Sequence, residues 1–204
     1  QSPMTPNILA WCGQDAMVVH WNESDILIVG PYGDWLNIPY SSKLFVLPED
    51  DCCRIITPTS CDVIQRVPAA VEAIERIGST HPAALLTAAN EAFEEGETSS
   101  DENIRSLVES GQLAGAVTGC ISAAAAEFDV ARQQTFLRAA SYGKAFCDPT
   151  VLNPAQFVLT SQRLRVLNHL AKPEVGVPLT FSEFDLLGLD RLLQRLCFRR
   201  LHFL

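Results

Sequence analysis

Residues 63–78 read VIQRVPAAVEAIERIG, and the period of the sequence changes inside this stretch, at Pro68. Upstream, β-rich runs recur at Ile8–Cys12, Ala16–Trp21, Asp25–Val29, Trp35–Ile38, Lys43–Leu47, Arg54–Thr57 and Val63–Val67. Turn-forming residues separate them, among them Cys12-Gly13-Gln14-Asp15, Asn22-Glu23-Ser24 and Gly30-Pro31-Tyr32-Gly33-Asp34. Strands of about five residues at a spacing of roughly 8–12 predict a sandwich, a barrel or propeller blades. One propeller blade takes about 40–50 residues. Residues 1–67 are therefore too few for a closed propeller and fit its last one or two blades.

Downstream of Pro68 every strong segment repeats near 3.6 residues, the period of an amphipathic helix. A first helix is predicted over 68–78, ending at Gly78. A second opens near Pro82, a residue suited to the first helical turn, and runs to Glu95. Ser99 with Glu102 predicts a capping box for a third, which ends at Gly111. The fourth, over 112–128, has one apolar face of Leu113, Ala116, Val117, Cys120, Ile121 and Ala124. Gly115, Gly119 and Ala123 form a second strip of small residues, so this helix is expected to pack between neighbours on two sides.

The fifth, over 130–147, presents Phe136, Ala139, Ala140, Gly143, Phe146 and Cys147 on one side. Asn153-Pro154-Ala155-Gln156 opens a sixth helix that runs to Leu170. Thr180 with Glu183 makes a capping box for the seventh, Gly188 breaks it, and the eighth runs from Leu189 to the end. Helices of this length with short loops suit antiparallel pairs stacked in a row. The expected fold is mostly α. Residues 68–204 form the N-terminal part of an α-solenoid of antiparallel helix pairs. Residues 1–67 precede it as the C-terminal blade or blades of a β-propeller.

The charge is uneven. Residues 1–67 hold 8 acids and 3 bases, 68–130 hold 11 and 2, and 131–204 hold 5 and 10. Phosphate-backbone binding needs clustered Lys and Arg, so an acidic body argues against a nucleic-acid partner. The uncharged run from Ser110 to Ala126 is shorter and more polar than a spanning helix, which argues against membrane insertion. The seven cysteines are scattered, without a CxxC pair, which speaks for a reducing cytosol and against a disulfide framework or zinc site. The chain opens at Gln1 and stops at Leu204 inside an apolar-periodic segment, so it is expected to be an excerpt of a longer protein.

Several segments resemble one family. Leu137-Arg138-Ala139-Ala140-Ser141-Tyr142-Gly143-Lys144 is similar to the "LRAASFGK" segment of the vacuolar protein sorting-associated protein 16 family. Leu164-Arg165-Val166-Leu167-Asn168 resembles its "LRVLN" segment, and Gly176-Val177-Pro178-Leu179-Thr180 its "GIPLT". Val67-Pro68-Ala69-Ala70, Gly111-Gln112-Leu113 and Arg199-Arg200-Leu201 fit in the same order. The likeness runs from about residue 63 to the end and is loose over 1–62. It implies an N-terminal β-propeller, a C-terminal α-solenoid and no catalysis. It also implies a core subunit of the HOPS and CORVET tethering complexes, cytoplasmic and peripheral on late endosome and vacuole or lysosome membranes. The implied partners are a Sec1/Munc18-type subunit, vacuolar protein sorting-associated protein 33, the other core subunits, and SNAREs indirectly.

The residues themselves carry no catalytic signature. No G-x-S-x-G, H-E-x-x-H, Walker-type loop or G-x-G-x-x-G occurs, so no catalytic, cofactor or metal residue is assigned. His20, His81, His169 and His202 are far apart and read as surface or capping residues. Glu49-Asp50-Asp51 beside Cys52-Cys53 lacks the alternating oxygen ligands of a calcium loop and reads as a solvated turn. One surface feature stands out. Arg191, Arg195 and Arg199 fall at i, i+4 and i+8 with Arg200 beside them and His202 in line, opposite Leu189, Leu192, Leu193, Leu196 and Cys197. This ridge is a candidate docking site for an acidic partner surface. The alternative scaffold is a coat- or nuclear-pore-type solenoid. An enzyme with a helical domain would instead require a polar pocket of converging titratable groups.

Overall fold

A computed structural model describes residues 5–21, 25–148 and 153–200. The chain divides into two compact units, residues 1–66 and 67–204.

The first unit holds two antiparallel sheets. β1 (Ile8–Cys12), β2 (Ala16–His20), β3 (Ile26–Val29) and β4 (Trp35–Ile38) pair in sequence order. β5 (Phe45–Pro48), β6 (Cys53–Ile56) and β7 (Cys61–Ile64) form a second sheet, also in sequence order. Cys12, Ala16, Val18 and Ile26 of the first sheet share one core with Cys53 and Ile55 of the second and with Leu44, just before β5. The pairing register places Trp11 opposite Met17, Met17 opposite Val29, and Val29 opposite Trp35. Side chains alternate along a strand, so this row lies on the face away from that core. Trp11 and Trp35 are more than half exposed there. The second sheet repeats the arrangement, with Phe45 and Leu47 exposed opposite the buried Cys53 and Ile55 side. Both sheets are thus apolar on both faces.

In the acidic turn between β5 and β6, Glu49 is neutralised by Arg54, while Asp51 accepts from the neutral Gln65 amide at 3.3 Å. Arg54 donates to Glu49 from Nε at 3.0 Å and from Nη2 at 2.9 Å, and the Cys52 thiol donates to the same carboxylate at 3.2 Å. His20 is neither a surface nor a capping residue: it is buried at the end of β2, and its Nδ1 has no hydrogen-bond partner among the described residues. The turn Asn22-Glu23-Ser24 lies outside the described residues.

The second unit contains α1 (Ala69–Glu75), α2 (Pro82–Glu95), α3 (Ser99–Glu109), α4 (Leu113–Ala126), α5 (Val130–Lys144), α6 (Pro154–Leu170), α7 (Phe181–Leu187) and α8 (Leu189–Phe198). Pro68 has an extended backbone, and its carbonyl accepts the amides of Val71 and Glu72, which starts α1. His81 caps α2 by accepting the Ala83 amide on Nδ1 at 3.2 Å. Gly96 closes α2 in the left-handed conformation that glycine adopts without a Cβ penalty.

α4 is the centre of this unit and packs against α1, α2, α3, α5 and α6. All six residues of its expected apolar face are buried, and so is Ala123. Gly119 faces α2, where a Cβ would meet the Ala83 Cβ at 3.0 Å, while Gly115 faces open space. Fully burying an aliphatic side chain contributes roughly 1.5–3 kcal/mol. Leu113, Val117 and Ile121, with Leu86 from α2 and Leu107 from α3, therefore carry much of the stabilisation.

Two local expectations are corrected. Ser99 and Glu102 form no capping box: Thr98 holds the N-cap position of α3 without a side-chain cap bond, and the Ser99 hydroxyl donates to Glu97 at 3.1 Å. The helix starts one residue early, which puts Ser99 inside its first turn. Phe146 leaves the buried side of α5 and is half exposed, with its ring edge on Tyr142. The chain after Lys144 tightens into i to i+3 bonds, from Ala145 to Tyr142, Phe146 to Gly143 and Cys147 to Lys144, which rotates Phe146 off the helical stripe.

Candidate partner-binding surface

α7 and α8 close over the end of α6 around a small core of Leu167, Leu170, Val175, Phe184, Leu192 and Leu196. The Thr180 capping box forms as its spacing predicts. The Glu183 amide donates to the Thr180 hydroxyl at 3.0 Å, and the Thr180 amide donates to the Glu183 carboxylate at 2.8 Å. Both groups satisfy amides that would otherwise lack partners at the helix start. Thr180→Ala is expected to lower the stability of the second unit by about 1 kcal/mol, read from the shift of its urea unfolding midpoint.

Gly188 links α7 to α8 with a φ of 72°. That turn sets which side of α8 meets the core. Only Leu192 and Leu196 of the predicted leucine face are buried; Leu189, Leu193 and Cys197 are exposed beside them. The cover over α8 comes from Phe184 and the Val175 loop and is narrower than the apolar stripe. α8 also ends sooner than its period suggests, at Phe198. Arg200 follows at φ 59°, in the left-handed region that non-glycine residues seldom enter.

The arginine ridge is therefore divided. Arg191 and Arg195 project from the helix and are exposed. Arg199 is the capping residue, and its Nη1 donates to the Val175 carbonyl at 3.3 Å, which staples α8 to the preceding loop. Arg200 is exposed in the turn, and His202 lies outside the described residues. Phe198, 86% exposed, stands three and seven residues from Arg195 and Arg191, on their side of the helix. Arg163, on α6, is by contrast committed: it pairs with Asp185 at 2.8 Å and lies over the Phe181 ring.

The buried thiols of Cys53 and Cys120 act as apolar packing. Burial pushes the Cys120 thiol up to about 11. Burial, with the neighbouring Cys12 and Glu49, pushes Cys53 up to about 12. Both stay protonated at neutral pH, and a thiol nucleophile must ionise to react. In the second unit His81 caps α2 and His169 is exposed at the end of α6; His20 belongs to the first unit. Among the described residues, no helix is long and apolar enough to cross a membrane.

The chain is similar in sequence to proteins of one kind. A family model described as Vps16, N-terminal region, matches residues 2–158. Protein VACUOLELESS1 of Arabidopsis thaliana is 42% identical over 204 residues, all of this chain and 23% of that protein. The vacuolar protein sorting-associated protein 16 homolog of Dictyostelium discoideum is 36% identical over 97% of the chain and 24% of its own length. Vacuolar protein sorting-associated protein 16 of Saccharomyces cerevisiae is 31% identical over 94% and 23%. The chain spans about a quarter of the length of these curated relatives. With a family model matched over most of its length and relatives aligned over nearly all of it, the chain belongs to the Vps16 family.

Proposed function

We propose that this chain is a non-catalytic scaffold segment of a vacuolar protein sorting subunit. That subunit works in the HOPS and CORVET tethering complexes, on the cytoplasmic side of late endosome and vacuole or lysosome membranes, and supports SNARE-mediated fusion. Family membership carries the proposal, because relatives named for vacuolar protein sorting align with nearly all of the chain. In this reading residues 1–67 are the last blades of a propeller, and 68–204 are the beginning of an α-solenoid. Sheets apolar on both faces support the first part, since a blade is covered by neighbours on either side. A run of consecutive helices, most of them packed against their neighbours in sequence, supports the second.

Arg191, Arg195, Arg199 and Arg200 form the docking edge for acidic surfaces of other core subunits or of the Sec1/Munc18-type subunit. Arg191, Arg195 and Arg200 supply the charge, Phe198 the contact area, and Arg199 the fixed position of the helix end. Steering by such a surface falls with ionic strength. The test is the double reversal Arg191→Glu with Arg195→Glu in the full-length subunit, followed by co-purification of the other subunits at low and high salt. Capture is expected to fall about tenfold at low salt, and the difference from the unaltered protein is expected to shrink at high salt. Capture and salt dependence equal to the unaltered protein's would remove the ridge from the assembly.

A further inference from the structure

A second surface, of opposite charge, lies on α1, α2 and α5, where no sequence motif marks it. α1, α2 and α5 enclose a groove of about 470 Å³. Ala84 and Ala88 from α2, with the largely buried Ile74 from α1 and Phe136 from α5, make its apolar part, and Thr87 and Thr135 line the rest. Glu75, Glu91 and Arg132 are the charged residues that line it. Arg132 is already held from two sides, by Glu75 and by Glu127, the latter at 3.2 Å. The one base in the wall is thus spent on two carboxylates, and Glu91 keeps an uncompensated charge at the rim. Glu91 forms no ion pair among the described residues. The three helices that form the groove carry five acids, Glu72, Glu75, Glu91, Glu94 and Glu95, against three bases, Arg132, Arg138 and Lys144, and Arg138 is paired with Glu94 at 3.7 Å.

We infer that this groove docks a basic amphipathic segment of a partner protein, with an apolar side chain seated on Ile74 and Phe136 and a lysine or arginine meeting Glu91. The apolar floor removes the partner's side chain from water, which supplies affinity. The carboxylates select against acidic segments by like-charge repulsion. Ala88 is exposed, so the groove is open along the α2 side and admits a helix-borne side chain without rearrangement of the core.

The probes are a leucine/lysine amphipathic peptide and a leucine/glutamate peptide with the same leucine pattern, each titrated into the 204-residue chain. The readout is the NMR signal of the Ile74 δ-methyl group. The lysine peptide is expected to shift that signal, and added salt to reverse the shift. Glu91→Lys is expected to weaken binding about tenfold, and Ala88→Trp, which fills the opening, to abolish the shift. Both positions are exposed, so circular dichroism and the unfolding midpoint are expected to stay at those of the unaltered chain. The idea is overturned if the lysine peptide leaves Ile74 unmoved, if the glutamate peptide moves it equally, or if binding survives both substitutions. The result is independent of the α8 ridge, where the glutamate peptide is the preferred ligand.

Discussion

Gly143→Val is expected to cost the second unit about 3 kcal/mol or more and to move its thermal unfolding down by many degrees. Gly143 lies on the buried side of α5, where the helix crosses α2 and α4. A Cβ built there would sit 2.7 Å from Leu86 Cδ2, 2.9 Å from Leu86 Cδ1 and 2.9 Å from Val117 Cγ2. Carbon atoms are comfortable at about 3.5–4.0 Å. Leu86 and Val117 are both fully buried, so neither side chain has open space to retreat into. Two effects oppose one another at this site. Replacing a helix-interior glycine by alanine gains up to about 1 kcal/mol from backbone entropy, and less at Gly143, one residue from the end of α5, whereas overpacking a tight core costs typically 1–3 kcal/mol. Gly143→Ala is therefore expected to be mildly destabilising, and Gly143→Val, with two further methyl groups in the same gap, strongly so. Gly115→Ala is the internal control. Nothing lies within 4 Å of its Cβ position, so only the entropy gain remains and stability is expected to rise. Chemical denaturation of the three variants reads all of this. A Gly143→Val chain as stable as the parent would mean that the α2, α4 and α5 contact is looser than described.

That contact was only half legible in the sequence. The 3.6-residue period of α4 marked its apolar face, and every residue of that face is buried, because a long uniform stripe has neighbours along its whole width. Proline, glycine and capping residues marked the ends of α2, α6 and α7, because their effect is local to the backbone that carries them. Gly143 was visible as a member of a buried face, and not as the point of closest approach, since Leu86 and Val117 are distant in sequence. The same non-locality hid the groove: Ile74, Ala88 and Phe136 share no motif. On α8 the period overstated burial, because a stripe records which residues are apolar and the narrower cover from Phe184 decides which are shielded. The arginine spacing was plain in the sequence. That Arg199 caps the helix on the Val175 carbonyl depends on a loop no period describes. In the first unit, strand rhythm marked six strands closely and set the seventh at Val63–Val67, late of the observed Cys61–Ile64, while pairing register was needed to see that both faces of each sheet are apolar.

Leu86→Ala supplies the converse test at the same crossing. Leu86 is fully buried at the centre of the helical core. Its truncation is expected to cost about 2–5 kcal/mol, the range for a buried leucine whose surroundings collapse only partly. The space left behind lies against Gly143, because both Leu86 methyl carbons are the atoms that a Cβ there would strike. A side chain added at Gly143 then enters a cavity that the leucine has vacated. Gly143→Ala, mildly unfavourable in the parent, is expected to become stabilising in the Leu86→Ala background, since the helix-propensity gain remains and the worst overlap is gone. Gly143→Val is expected to be rescued only in part, because the approach to Val117 Cγ2 at 2.9 Å persists whatever occupies position 86. The double-mutant cycle should show a coupling of about 0.5–3 kcal/mol, the range for residues in direct contact. Additive losses would place the strain at Val117 alone. The paired variant Val117→Ala with Gly143→Val separates these cases: if Leu86 shares the strain, each truncation relieves part of it and neither relieves all.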